Sequence, residues 1–194
     1  MDQLKITFLG QSCFRLQSGS STLLLDPGRQ QLGDISGDIV FASHHHSDHT
    51  KGVEIFLKRN PEAIFVCNEQ VADHFKEWRN RIVFAAPGEE VTHASWRLSF
   101  VGGRHGLFSG VLNTGIIIRA SSLSFGHAGD TVDFQEFSHE QLDLLAIPIG
   151  GIFTASPKRA LKELKSFSKP LPIIIPMHWL WRKPRGFCQQ FCAT

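Results

Sequence analysis

Six consecutive residues, His44-His45-His46-Ser47-Asp48-His49, constrain this chain more than any other stretch. They contain the pattern H-x-H-x-D-H, a dense group of potential metal ligands. His44 and His46 are two apart, so on an extended segment they point to the same side; His45 points away, as a packing or supporting residue. The run before them, Asp38 to Ser43, is short, apolar and β-prone, long enough for one buried strand. The run after them, Thr50 to Arg59, carries Val53, Phe56 and Leu57 at helical spacing and is closed by Pro61. The cluster is therefore expected at the C-terminal end of a strand, on a loop entering a helix, where open α/β structures build their sites. Imidazole beside carboxylate suits zinc, or a harder ion such as manganese. A surface histidine tract that binds metal adventitiously is the competing reading; the ordered flanks oppose it.

Three further potential ligands end strand-like runs downstream. His105 follows Leu98 to Arg104, Asp130 lies in Gly126-His127-Ala128-Gly129-Asp130-Thr131, and His178 follows Ile173 to Met177. Each alone is weak, because a histidine after a strand is ordinarily structural and Gly-Asp-Thr is ordinarily a turn. The order of all seven residues carries the signal.

That order resembles the dinuclear pattern of the metallo-β-lactamase superfamily. Leu24-Leu25-Asp26-Pro27, Gly126 to Thr131, Ile147 to Thr154 and Ile175-Pro176-Met177-His178 are similar to a narrower branch. That branch consists of small bacterial and archaeal metal-dependent hydrolases related to ascorbate-6-phosphate lactonase. The resemblance covers residues 4 to 180. It implies an α+β fold, a four-layer αββα sandwich of two mixed β-sheets flanked by helices, in a single domain over residues 1–194. It implies two divalent ions, zinc or manganese. His44, His46 and His105 would hold the first and Asp48, His49 and His178 the second, with Asp130 shared between them. Three imidazoles leave the fourth position of a tetrahedral ion open for water. Two ions about 3.5–4 Å apart can share that water as a bridging hydroxide at neutral pH. Asp48 and Asp130 are the expected catalytic carboxylates.

Other residues carry two readings. Asp26 either accepts the second N–H of a ligand histidine or initiates the turn at Pro27. Thr131 bonds Asp130 or caps its turn. His127 either touches substrate and carries protons or ends its strand facing solvent. Gly150 and Gly151 mark a close backbone approach, and in the resembled branch that loop borders the site, placing Phe153 and Thr154 in a substrate wall. Gln11 stands where relatives often carry histidine, so it is expected at the rim, in contact with substrate. The C-terminal Trp179, Trp181 and Phe187 are expected to fold over the core, unless the natural chain is longer.

Composition removes several alternatives. A chain of 194 residues that is 42% hydrophobic can bury a substantial core. Its formal charge of +2 implies no strong nucleic-acid field. No apolar run is long enough for a signal peptide or a membrane span, so the chain is expected to be cytoplasmic. Cys13, Cys67, Cys188 and Cys192 contain no C-x-x-C pair and are expected to be reduced thiols. The absence of tyrosine removes phenols from the potential proton donors. Homo-oligomerisation is left open.

Periodicity places strands at Leu4 to Leu9, Cys13 to Gln17, Thr22 to Leu25, Asp38 to Ala42, Ala63 to Val66, Ile82 to Ala85, Arg97 to Val101, Thr114 to Arg119, Leu123 to Phe125, Leu142 to Ile147 and Ile173 to Pro176. Further helices are expected over Glu69 to Trp78 and Pro157 to Phe167, the latter with Ser156 as N-cap and Pro157 in the first turn.

Two divalent ions opposed by Asp48, Asp130 and hydroxide leave about one net positive charge. Such a site favours a substrate that is anionic or develops an oxyanion. The leading expectation is a hydrolase acting on a small phosphoester or lactone. The alternatives are a phosphodiesterase acting on RNA or a phospholipid head group, and a metal-binding protein without catalysis. Arg182-Lys183-Pro184-Arg185 is a short basic run, more typical of a solvated terminus than of a nucleic-acid arm.

Overall fold

The computed structural model describes residues 3–28, 32–106, 110–167 and 170–179. In chain order its elements are β1 (Leu4–Gly10), β2 (Cys13–Ser18), β3 (Ser21–Leu25), β4 (Ile39–Ala42), α1 (Ser47–Thr50), α2 (Val53–Arg59), β5 (Ile64–Cys67) and α3 (Glu69–Asp73). A 3-10 turn at Lys76–Arg81 leads into β6 (Ile82–Phe84). Then come β7 (Glu90–His93), β8 (Trp96–Arg104), β9 (Leu112–Ala120), β10 (Leu123–His127), α4 (Gln135–Ser138), β11 (Leu144–Pro148), α5 (Pro157–Leu164) and β12 (Ile173–Met177).

The strands form two six-stranded sheets, one ordered β1 to β6 and the other β12 to β7. Both are mixed. In the first, the β1–β2 and β2–β3 pairs are antiparallel and the pairs from β3 to β6 are parallel. In the second, the pairs from β7 to β10 are antiparallel and those from β10 to β12 are parallel.

Alternation along the strands builds three apolar layers. Ile39 and Phe41 of β4 point between the sheets, where they meet Trp96, Leu98 and Phe100 of β8 and Ile116 and Ile118 of β9. Val40 and Ala42 point to the other face and pack with Val53, Phe56 and Leu57 of α2. Ile117 of β9 likewise turns outward, to a layer that includes Phe137, Ala160 and Leu164. This is the expected αββα sandwich of an α+β protein. No described helix is long and apolar enough to cross a membrane.

The differences from the sequence reading are local. Helix starts inside the histidine motif, at Ser47, so Asp48 and His49 ride its first turn instead of a loop. The expected helix from Glu69 to Trp78 ends at Asp73, because Phe75 turns inward to pack edge-on against Phe65 with ring centroids 5.2 Å apart. Strand β9 extends beyond both expected ends, and helix α5 stops at Leu164. Strand β7 and helix α4 were not expected from periodicity; both are short, and β7 lies at a sheet edge. Ser156 caps α5 as expected, its side chain accepting from Arg159 N–H at 3.2 Å. Cys188, Cys192, Trp181, Phe187 and the basic run 182–185 lie outside the described residues.

The end of the sandwich remote from the motif is tied by a polar link. Trp96 Nε1 donates to Ser21 Oγ at 2.8 Å, and that hydroxyl donates to Asp38 Oδ2 at 2.7 Å. Trp96 is fully buried. Trp96→Ala is expected to destabilise the fold by about 3–5 kcal/mol through the cavity alone. Urea unfolding followed by circular dichroism measures this, and a loss below about 1 kcal/mol would contradict it.

Candidate metal centre

All seven sequence-predicted ligands converge at one edge between the sheets, and they arrive from both. His44 and His46 follow β4, and Asp48 and His49 sit in α1. His105 follows β8, Asp130 follows β10 and His178 follows β12. A bridge between His105 and Thr131 joins two of these strand ends. His44, His49, His105, Asp130 and His178 are buried, and the Asp48 side chain is about one-third exposed.

Their donor atoms form three compact groups: His44, His46 and His105; His44, His49 and Asp130; and Asp48, His49 and His178. Within each group the atoms lie within 4.8 Å of one another. His44 Nε2 and His46 Nδ1 are 3.0 Å apart. Asp130 Oδ2 is 3.0 Å from His178 Nε2 and 4.0 Å from His44 Nε2, and Asp130 Oδ1 is 3.4 Å from His49 Nε2. Asp130 thus lies between the other two sets of donors. His49 Nε2, Asp130 Oδ1 and His178 Nδ1 are buried without a hydrogen-bond partner. Buried polar atoms left this way cost free energy, so at the first two of these atoms a cation is a chemically fitting partner.

The surroundings orient these groups. Asp26 is fully buried and accepts from Ser43 N–H, Ser43 Oγ–H and His49 Nδ1–H, each at 2.7 Å. Ser43 Oγ in turn lies 3.1 Å from His44 Nδ1. With their Nδ1 atoms engaged, His44 and His49 present Nε2 to the cluster. Asn113 Nδ2 donates to the Ala128 carbonyl at 3.0 Å, and its Oδ1 accepts from Asp130 N–H at 2.8 Å. Gly129 in that turn has φ +59°, and a side chain there would collide with Asn113. Asn68 Nδ2 bonds the Ser43 and Leu112 carbonyls and Thr114 Oγ1, at 3.0–3.3 Å, joining the two sheets beneath the site. Ser43, Asn68 and Asn113 were missed in the sequence. Only Ser43 gives a signal, by standing directly before the motif.

The structure places the remaining residues individually. His127 is neither a rim residue nor solvent-facing: it is fully buried, and its Nε2 donates to the Ser12 carbonyl at 2.8 Å while Nδ1 accepts from Gly129 N–H at 3.2 Å. Gln11 is partly exposed, and its Nε2 donates to Asp48 Oδ2 at 3.3 Å. Thr154 is buried and accepts from Gly150 N–H, so it shapes the loop beside His178 from within; the neighbouring Phe153 is the more exposed of the two. Thr131 caps its turn, donating to the Arg104 and Asp133 carbonyls. His45 points away from the cluster and stacks on His74 with centroids 5.3 Å apart.

Electrostatics divide the histidines. Burial pushes His44, His46 and His105 below the ordinary imidazole value, keeping their lone pairs available. Burial acts the same way on His49, but the Asp130 and Asp26 carboxylates override it and hold the ring well above the ordinary value. His178 is raised to about 9, burial being outweighed by its bonds to Asp130 and Asp48. Burial would raise Asp48 and Asp130, yet His178 and His49 hold both below the usual carboxylate range.

A buried His/Asp cluster where strand ends of two facing sheets meet is a candidate metal centre. The chain belongs to the β-lactamase superfamily, whose domain model matches residues 5–178. A metal-dependent hydrolase of Opitutus terrae is 30% identical, over 91% of this chain and 85% of its own. One from Methanoculleus marisnigri is 29% identical over 91% and 81%. Among solved structures, the metallo hydrolase Igni18 of Ignicoccus hospitalis superposes with a TM-score of 0.83 at 21% identity, covering 98% of this chain and 91% of that one. The metallo-β-lactamase fold protein YhfI of Bacillus subtilis gives 0.79 at 17%, covering 100% and 93%. At these identities the structures speak to the fold.

The raised histidines predict a pH signature in chelator-treated protein. His178 has a folded value near 9 against 6.5 unfolded, so its contribution is complete below pH 6.5 and is lost as pH rises through 9. His49 acts in the same direction, whereas the depressed His44, His46 and His105 destabilise as pH falls below 6.5. The thermal midpoint after chelation is therefore expected to peak near pH 6.5 and fall toward pH 9. A midpoint that is flat or rising between these values contradicts the assignment.

Proposed function

We propose that the chain is a dinuclear metallohydrolase acting on a small anionic substrate, a phosphoester or a lactone. The observation that carries this reading is the placement of buried Asp130 between two sets of donors. His44, His46 and His105 are the proposed ligands of one ion, Asp48, His49 and His178 those of the other, and Asp130 is shared. The donor set fits: imidazoles kept neutral by burial on one side, and on the other two ionised carboxylates, of which Asp130 has a buried oxygen without a hydrogen-bond partner. Such a mixture of imidazole and carboxylate suits zinc or manganese. When bound, the ions supply an activated water and a Lewis acid for the substrate oxygen.

The chain's own residues set the conditions for that chemistry. Asp26 and Ser43 hold the imidazole tautomers of His49 and His44, and Asn113 fixes the backbone of Asp130. Protons on His49 and His178 must leave as an ion enters, so binding is expected to release protons. The proposed ion pair exceeds the charge of the two carboxylates, which favours an anionic group or a developing oxyanion. Similarity to the lactonase-related branch supports a phosphorylated lactone within that class.

A panel containing a phosphodiester reporter, phosphorylated lactones and structured RNA at varied salt tests the substrate class. Turnover of the small anions is expected, with inhibition by free phosphate. Cleavage of RNA alone, with steep salt dependence, would replace this reading with that of a nucleic-acid phosphodiesterase.

Asp130→Asn retains size but removes the shared charge. It is expected to lose at least one ion, and to lose more activity than the roughly 10–100-fold typical when an outer partner is removed. Elemental analysis beside circular dichroism measures this. Two retained ions with full turnover would exclude a shared Asp130.

A further inference from the structure

The turn between β1 and β2 is built from parts of both sheets. Gly10 has φ +107° and Gln11 φ +55°, so a non-glycine residue is held in the left-handed region at its tip. Two histidines at the ends of β12 and β10 hold the turn from the opposite sheet. His178 N–H donates to the Gln11 carbonyl at 2.9 Å, and His127 Nε2 donates to the Ser12 carbonyl at 2.8 Å. His178 itself has φ +52°. The Gln11 side chain reaches the motif that follows β4 of its own sheet, where Nε2 meets Asp48 Oδ2 at 3.3 Å. That same oxygen lies 3.3 Å from His178 Nε2 and 3.7 Å from His49 Nε2. It is therefore the carboxylate oxygen that faces the Asp48, His49 and His178 group. Gln11 touches two of the three members of that group, one through its backbone and one through its side chain.

A left-handed non-glycine conformation costs on the order of 1 kcal/mol or more and persists where its surroundings enforce it. Glycine would adopt it without that cost. Keeping glutamine here is consistent with a use for its side chain, and the amide contact to Asp48 supplies one. We infer that Gln11 is a positioning residue for the second ion: it fixes which Asp48 oxygen faces His49 and His178, and so sets the affinity of that ion without affecting the first. This rests on the dinuclear reading above.

The test compares wild type, Gln11→Ala and Gln11→Gly in chelator-treated protein titrated with zinc and followed by calorimetry, alongside thermal melts of the metal-free forms. Wild type is expected to bind two ions. Both variants should bind the first as wild type does and the second about 10–100-fold more weakly, the range for outer partners of a metal site. Gln11→Gly should melt higher than Gln11→Ala, because it relieves the backbone while lacking the same amide. If both variants bind both ions as wild type does, the inference is overturned. If Gln11→Gly restores the second affinity that Gln11→Ala loses, backbone strain and not the amide was responsible, and the inference is again overturned. If wild type itself does not bind two ions, the dinuclear reading fails instead, independently of the variants.

Discussion

Asp26 is a carboxylate with no exposure to solvent, and such a group is costly unless its oxygens are fully engaged. Here three donors from the motif and the residue before it engage it: Ser43 N–H, Ser43 Oγ–H and His49 Nδ1–H. The end of β4 and the start of α1 are thereby fixed to the end of β3. Asp26 reaches them from a left-handed backbone, φ +43°, a strain of the kind that clusters at functional sites. Pro27 and Gly28 follow, and Gly28 runs so close to the Asp48 carbonyl that a side chain there would overlap it. The orientations of His44 and His49 depend on this one buried anion. Its substitution by an apolar residue would remove an acceptor that two rings use, one directly and one through Ser43.

A second constraint acts between the sheets. Asn68 caps α3 through Oδ1 and spends its Nδ2 protons on Ser43, Leu112 and Thr114. Thr114 N–H also donates to the Ser43 carbonyl at 2.9 Å. Ser43 is therefore bonded simultaneously to β3, α3 and β9. The residue carries no chemistry of its own, yet the motif's position relative to Asp130 passes through it.

The sequence revealed the candidate ligands because each ends an apolar run, and an alternating run of that kind reads as a strand whose end is exposed to function. It revealed the architecture for the same reason. What it hid are groups whose meaning depends on distant partners. Asn68 and Asn113 look like ordinary polar residues until strands far apart in sequence bring Ser43 and Gly129 to them. His127 was misplaced by a related error. Strand ends and hairpin tips are usually exposed, but here the β1–β2 turn folds over the end of β10, burying His127 and carrying Gln11 to Asp48. Short edge elements such as β7 escaped because four residues carry too little pattern to register.

The candidate ligands are divided between the two sheets. His44, His46, Asp48 and His49 belong to the first, and His105, Asp130 and His178 to the second. Under the proposed ligand set, each ion is held from both sides and so acts as a rivet through the sandwich. Sliding one sheet by a single residue, about 3.3 Å, would tear every such rivet at once. Register between the sheets and competence of the site are then the same property. Under that ligand set, losing the metal would cost the sandwich a fastener as well as its chemistry.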